Sequence, residues 1–202
     1  MIRILCLLIG YCFGCIQSAY VVGRICQVDL RTRGSGNLGF SNTLRVLGKK
    51  MGILVFFIDV GKAMAAVFLC HALFPSWIAA AFYGGFGAVL GHDFPFYLKF
   101  KGGKGIASMI GIIASVSILY YPLGVVFCAL AGCLPLLSGY ISVGSLCFCV
   151  CLPLVMLGYK APTEVVLICV ALGVLGAYQH RANIKRLLNG TENRFGKKGK
   201  KV

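Results

Sequence analysis

The run IASMIGIIASVSILYYPLGVVFCALAGCLPLLSGYISVGSLCFCVCLPLVMLGY, from Ile106 to Tyr159, is 54 residues long and carries no charged side chain. A water-facing surface cannot be built from it. One membrane-spanning helix takes about 20 residues, so the run holds more than one span. Two turn signals divide it, Tyr120-Tyr121-Pro122 and Ser138-Gly139-Tyr140. Three spans are expected, the first of them short. Ahead of the run, Trp77 to Leu90 reads as a span opened by an interfacial tryptophan. Met51 to Leu73 is apolar except for Asp59, Lys62 and His71. Ile4 to Gly23 lies between Arg3 and Arg24 and has no small-residue cleavage site before a polar chain, so it reads as an anchor rather than a signal peptide. After the run, Pro162 and Thr163 open a last span ending near Tyr178. The expected fold is an all-α polytopic membrane protein of seven transmembrane helices, with residues 1–202 as a single domain.

The composition agrees. Hydrophobic residues make up 59% of the 202 and charged residues 12%, against about 25% charged in soluble domains. A soluble globule, a disordered chain and a coiled coil are excluded. Twenty Lys and Arg face five Asp and Glu, a net charge of +15, which favours an anionic partner. Seventeen of the twenty basic residues fall in three segments, 24–50, 92–105 and 181–202. Seven spans put all three on one side of the membrane; six would put the basic tail opposite. Because positive loops stay inside, the N-terminus is expected outside and the C-terminus in the cytoplasm. Ten of the eleven cysteines lie in apolar runs, only Cys26 in a polar stretch. Without nearby His or charged groups they read as small buried hydrophobes.

The dense polar sequence forms three clusters on the cytoplasmic side. The first spans 31–45. Its Gly34-x-Gly36-x-x-Gly39 matches the dinucleotide fingerprint literally, but no βαβ unit can follow it here. The physics still holds: glycines let backbone N–H groups converge on an anion at a helix start. Asn42 or Thr43 is expected to cap that helix. Ser35, Asn37 and Arg45 add donors. The second cluster spans 91–108. Gly102-Gly103-Lys104-Gly105 lacks the Walker spacing, yet a Gly-Gly-Lys-Gly turn opening a helix suits an oxyanion. The bland alternative for these two is a glycine-rich or aromatic basic loop touching lipid phosphates. The third spans 180–194, where His180, Asn183 and Leu187 share a helical face and the helix is expected to continue out of the membrane. Its alternative is a basic amphipathic tail on anionic lipid, the preferred reading for Lys197 to Lys201. Asp59 and Lys62, three apart at membrane depth, can pair for structure or serve a site. Asp93 either orients a neighbour or faces water. No serine-hydrolase elbow or metal-ligand set emerges, and the loops are too short to read nucleic acid.

Read as GSGNLGFSNTLR (34–45), GHDFPFYLKFKGGKGIAS (91–108) and HRANIKRLLNGTE (180–192), the clusters resemble the three signature motifs of the PlsY family, acyl-phosphate:glycerol-3-phosphate acyltransferases of bacterial membranes. Order, spacing and length fit over nearly the whole chain. Phe40 and Ser41 replace the usual Ala-Thr, Tyr97 a Phe, and Ile106 and Ser108 a Val and a Thr; Phe40 is the large change. The resemblance implies transfer of a fatty acyl group from acyl phosphate to the sn-1 hydroxyl of glycerol 3-phosphate, giving lysophosphatidic acid and inorganic phosphate. It implies that Ser35, Asn37, Arg45 and Lys104 bind phosphates and stabilise developing charge, helped by the backbone of Gly102 and Gly103. Gly34, Gly36, Ser41 and Gly105 complete the binding loops. His180 and Asn183 position the acceptor, with either His180 or a substrate phosphate as base. Ser142 is a weaker binding candidate. No metal or cofactor is implied. The expected partners are the two substrates, membrane lipid and the enzyme that makes the acyl phosphate; the expected place is the bacterial cytoplasmic membrane, with the active site facing the cytoplasm. The rivals fit less well. A metabolite transporter predicts polar or broken helices in repeats, and a lipid phosphatase predicts a nucleophile or metal site.

Overall fold

The computed structural model describes residues 1–122, 124, 126, 130, 133–134 and 137–194. Among these residues all regular structure is helical. The chain divides into two compact units, Met1–Ile118 and Leu119–Val202.

The first unit holds α1 (Ile2–Gly14), α2 (Ser18–Ile25), α3 (Phe40–Leu47), α4 (Lys49–Leu73), α5 (Ile78–Asp93), a short 3-10 turn (Phe96–Leu98) and α6, which begins at Ile106 and runs to Leu119. The second holds α7 (Ile141–Gly158), α8 (Thr163–Gln179) and α9 (Arg181–Leu188). Three helical stretches are long and apolar enough to cross a membrane, Ile2–Ile25, Lys49–Leu73 and Ile141–Gly158, and a fourth if α8 and α9 count as one bent span. The second, third, fourth, sixth and seventh expected spans each coincide with a described helix, and the first is divided between α1 and α2. The fifth, between Pro122 and Ser138, falls largely outside the described residues, as do Cys128 and Lys197 to Lys201.

The first expected span differs from its sequence reading. It is interrupted at Cys15–Gln17, where Gln17 leaves helical geometry (φ −88°, ψ 86°) to start α2. The interruption persists because distant side chains take the released carbonyls. Tyr97 Oη donates to Cys15 O at 2.7 Å, and Lys62 Nζ donates to Ile16 O at 2.7 Å. Apolar periodicity has no view of partners this far along the chain.

α1 lies against α5 through glycine on both sides. A Cβ at Gly10 or Gly14 would run into the main chain of Gly84 or Ala88, and one at Gly87 or Gly91 into that of Leu7 or Tyr11. Backbone meets backbone, as small residues allow in apolar surroundings. Ser18, four residues beyond Gly14, turns elsewhere: its Oγ donates to Asp59 Oδ1 of α4 at 2.8 Å. Around this contact the core is small and dense, with Ala63, Ala66, Ala80 and Ala88 fully buried. Phe40 packs edge-on against Phe56 of α4, ring centroids 5.5 Å apart, so the enlarged side chain is absorbed between α3 and α4.

Replacing Gly87 with Val is expected to destabilise the protein by about 3 kcal/mol or more, since backbone rather than a movable side chain occupies the space. A thermal melt in detergent measures it; an unchanged midpoint would contradict the α1–α5 contact.

Candidate active site

In the first unit, the loop before α3 is held by one asparagine. Asn42 was expected as a helix cap, but α3 starts at Phe40 with Gly39 at its N-cap and no side-chain cap bond. Asn42 sits inside the first turn, 1% exposed, and reaches back to the loop instead. Its Oδ1 accepts the Ser35 N–H at 2.8 Å. Its Nδ2 donates to Leu30 O at 3.0 Å and Arg33 O at 3.1 Å. Thr43, the other expected cap, donates its Oγ1 hydrogen to Gly39 O at 3.0 Å. Gly34 has φ +61°, and a Cβ there would strike Asn42 Oδ1, so the loop needs glycine for both conformation and room. Gly36 (φ +71°) turns the chain again beside Arg31 O. Upstream, Arg31 grips Asp29 with three side-chain bonds of 3.0, 3.3 and 2.8 Å. Those bonds hold the Asp29 carboxyl down to about 2. Ser35 and Asn37 lie on this loop, Ser41 in the first turn of α3 and Arg45 in its last turn.

The second motif is anchored below the surface. The last residues of α5, His92 and Asp93, are 3% and 2% exposed, so Asp93 does not face water. Gly103 N–H donates to His92 O at 3.0 Å, and Gly102 N–H to Asp93 O at 2.9 Å. This changes the reading of the two glycines. Their N–H groups, expected to cradle an anion, are committed to the end of α5. Their missing side chains do the work instead: a Cβ on Gly103 would land on the His92 ring, and one on Gly102 on His92 O. Gly105 (φ +75°) packs against Val89 and Asp93. Half-buried Lys104 lies between these fixed points.

Beneath the loop is a cluster of buried charge. Lys62 Nζ lies 2.8 Å from Asp59 Oδ1 and 2.8 Å from His92 Nδ1. Asp59 Oδ1 is 3.4 Å from the same ring nitrogen, and Gln17 Nε2 donates to His92 O at 2.7 Å. Asp59 and Lys62 do pair, as their spacing suggested. His92, the third member, was not legible as such because it lies 30 residues from Lys62.

In the second unit, α8 and α9 meet at 56°, so the helix does not simply continue as expected. His180 sits at the bend as the C-cap of one helix and the N-cap of the other. It is 5% exposed. Its Nδ1 is 2.8 Å from Gly176 O; a carbonyl only accepts, so Nδ1 carries the hydrogen and Nε2 is the acceptor nitrogen of the neutral ring. Glu192 gathers the rest. Its Oε1 accepts from Asn183 Nδ2 at 2.7 Å and Ser142 Oγ at 3.2 Å, and its Oε2 from Arg186 Nε at 2.7 Å. Ser142 and Asn183, 41 positions apart in sequence, are therefore brought together. Sequence reasoning passed over Glu192 as a site residue. The available signal was its being the lone acid among eight basic residues after position 180.

The glycerol-3-phosphate acyltransferase family model matches residues 4–190. The chain is 39% identical to a glycerol-3-phosphate acyltransferase of Thermoanaerobacter pseudethanolicus, covering 98% of each. It is 41% identical to one of Shouchella clausii, covering 95% of each. Its fold is similar to the crystal structure of PlsY, an integral membrane glycerol 3-phosphate acyltransferase, in its glycerol 3-phosphate form, with TM-score 0.89, 34% identity and 96% of each chain covered. The lysophosphatidic acid form of that protein gives TM-score 0.86.

Asn42→Ala removes its three side-chain bonds to the first loop. Exchange of the Ser35 amide hydrogen is expected to speed up about tenfold or more, the equivalent of one lost bond of about 1.4 kcal/mol. Hydrogen-exchange mass spectrometry reads it, and unchanged exchange would mean the loop holds itself.

Proposed function

Since the chain belongs to the glycerol-3-phosphate acyltransferase family of integral membrane proteins, we propose that it transfers a fatty acyl group from acyl phosphate to the sn-1 hydroxyl of glycerol 3-phosphate, releasing lysophosphatidic acid and inorganic phosphate. The observation that carries this reading is the fold match to a glycerol 3-phosphate form over 96% of both chains, together with three polar motifs in family order. The pairing of substrate and product forms in the two similar structures supports the acceptor and the product. The acyl-phosphate donor rests on the motif resemblance. In this reading residues 1–202 make up one acyltransferase domain.

The chemistry needs little from the protein beyond placement and charge. A mixed anhydride is already activated, so no covalent intermediate is required. The hydroxyl oxygen attacks the acyl carbonyl carbon. The new ester bond forms as the bond from that carbon to the phosphate oxygen breaks, and the electron pair leaves on inorganic phosphate. Ser35, Asn37, Arg45 and Lys104 hold phosphate and offset the developing negative charge. The loops of Gly34, Gly36, Ser41, Gly102, Gly103 and Gly105 fix these side chains. His180 and Asn183 position the acceptor, with Ser142 joined to Asn183 through Glu192. The acceptor nitrogen at His180 Nε2 suits it to take the hydroxyl proton. With a substrate phosphate as base instead, His180 only orients the hydroxyl.

The same reading gives the topology: seven spans, N-terminus outside, and the three basic segments facing the cytoplasm of a bacterial inner membrane. The enzyme that makes the acyl phosphate would then meet the protein at that face.

Purified protein given glycerol 3-phosphate is expected to make lysophosphatidic acid from palmitoyl phosphate and not from palmitoyl-CoA. Lys104→Ala is expected to lower kcat/KM by about a hundredfold or more. Folded protein making no product from either donor overturns the reading. His180→Ala is expected to lower kcat about a hundredfold if the imidazole takes the proton; a rise in KM alone gives the proton to a substrate phosphate. A green fluorescent protein fused to the C-terminus is expected to fluoresce and alkaline phosphatase fused there to be inactive; the opposite pair of results would invert the topology.

A further inference from the structure

We propose that Asp59, Lys62 and His92 are positioning residues that set the place of Lys104. The inference rests on the phosphate-binding role given to Lys104 above. An ion pair at membrane depth is costly, and replacing one with apolar residues is often neutral or stabilising. Here the pair is 1% and 5% exposed, and beyond the Ile16 carbonyl it serves one imidazole.

The geometry forms a single line of contacts inside the first unit. An ammonium has three hydrogens and accepts none. Lys62 Nζ has three acceptors within reach: Asp59 Oδ1 at 2.8 Å, Ile16 O at 2.7 Å and His92 Nδ1 at 2.8 Å. That contact makes His92 Nδ1 an acceptor and puts the ring hydrogen on Nε2. The ring is thereby fixed in tautomer and in rotation. Its far edge lies against Gly103, where an added Cβ would come within 2.7 Å of both Cδ2 and Cε1. The His92 carbonyl, meanwhile, is shared by Gly103 N–H and Gln17 Nε2. Ring and carbonyl of one residue therefore hold the position just before Lys104 from two directions. Lys62 orients the ring, and Asp59 with Ser18 behind it orients Lys62. Neutralising the pair frees the ring to rotate, and Gly103 moves with it. A displacement of about 1 Å at a substrate-holding group can cost about a hundredfold in rate.

The test compares three full-length proteins in detergent: wild type, Asp59→Asn/Lys62→Met, and His92→Asn. The double variant removes both charges together, so neither is left buried alone. His92→Asn leaves Lys62 an acceptor near the old Nδ1 position but takes away the ring edge against Gly103. Thermal midpoints report folding. Steady-state kinetics with palmitoyl phosphate and glycerol 3-phosphate report positioning, and titration with inorganic phosphate reports the anion site without turnover. Both variants are expected to lower kcat/KM about tenfold or more, with a raised KM for a phosphate-bearing substrate, and to bind inorganic phosphate about tenfold more weakly. Unchanged KM and phosphate binding in folded variants overturn the proposal. Equal falls in kcat and kcat/KM with normal phosphate binding do so as well. If neither variant folds, the cluster is a folding element and the proposal fails. A wild type that binds phosphate but transfers nothing sinks the acyltransferase reading alone, because the phosphate titration still decides this one.

Discussion

A helix interrupted within an apolar stretch releases carbonyls that lipid cannot satisfy. This constraint organises the first unit. The break between α1 and α2 is tolerable only because Tyr97 and Lys62 supply hydrogens to Cys15 O and Ile16 O. Each of those donors is tied in turn to a motif. Tyr97 belongs to the turn that follows α5, and Lys62 holds His92, on which the Gly-Gly-Lys-Gly loop rests. The interruption, the buried ion pair and the second motif are one arrangement. Removing any member leaves an unsatisfied charge or carbonyl in the others.

The two units use the same device with opposite sign. In the first, a buried cation is the hub: Lys62 collects a carboxylate, a carbonyl and an imidazole. In the second, a buried anion is the hub: Glu192 collects an amide, a hydroxyl and a guanidinium. In both cases a charge with several equivalent bonding positions binds groups from separate segments. Such a hub fixes side-chain orientation better than packing does, since each contact requires a direction as well as a distance.

Much of this was readable from the sequence, and the failures share a cause. The ends of α4 and α8 followed from charge and from Pro162-Thr163. The four-residue spacing of Gly10 and Gly14, and of Gly87 and Gly91, is visible in the sequence. The three motifs were found intact. The break at Cys15–Gln17 was missed because its cause sits 46 and 82 residues away. Asn42 was misread as a cap because asparagine near a helix start suggests one; its side chain was instead claimed by loop carbonyls that local pattern does not reveal. The backbone of Gly102 and Gly103 was assigned to an anion because glycine advertises free N–H groups, whereas the end of α5 had already taken them. His92 and Glu192 were each inside a quoted motif, but nothing local distinguishes a residue that organises a site from one that merely lies in it.

The glycine contact between α1 and α5 has a consequence for engineering a sturdier enzyme. Exchanging helical glycine for alanine is a common route to higher thermostability, worth up to about 1 kcal/mol per site in helix propensity. Along this seam the sign reverses, because the methyl group has no volume to enter. The permissive sites are elsewhere: at Gly61 and Gly158 an added Cβ meets nothing within 4 Å. A consensus or library approach that treats all helical glycines alike would mix these two classes, and its gains at the open pair would be cancelled at the closed seam.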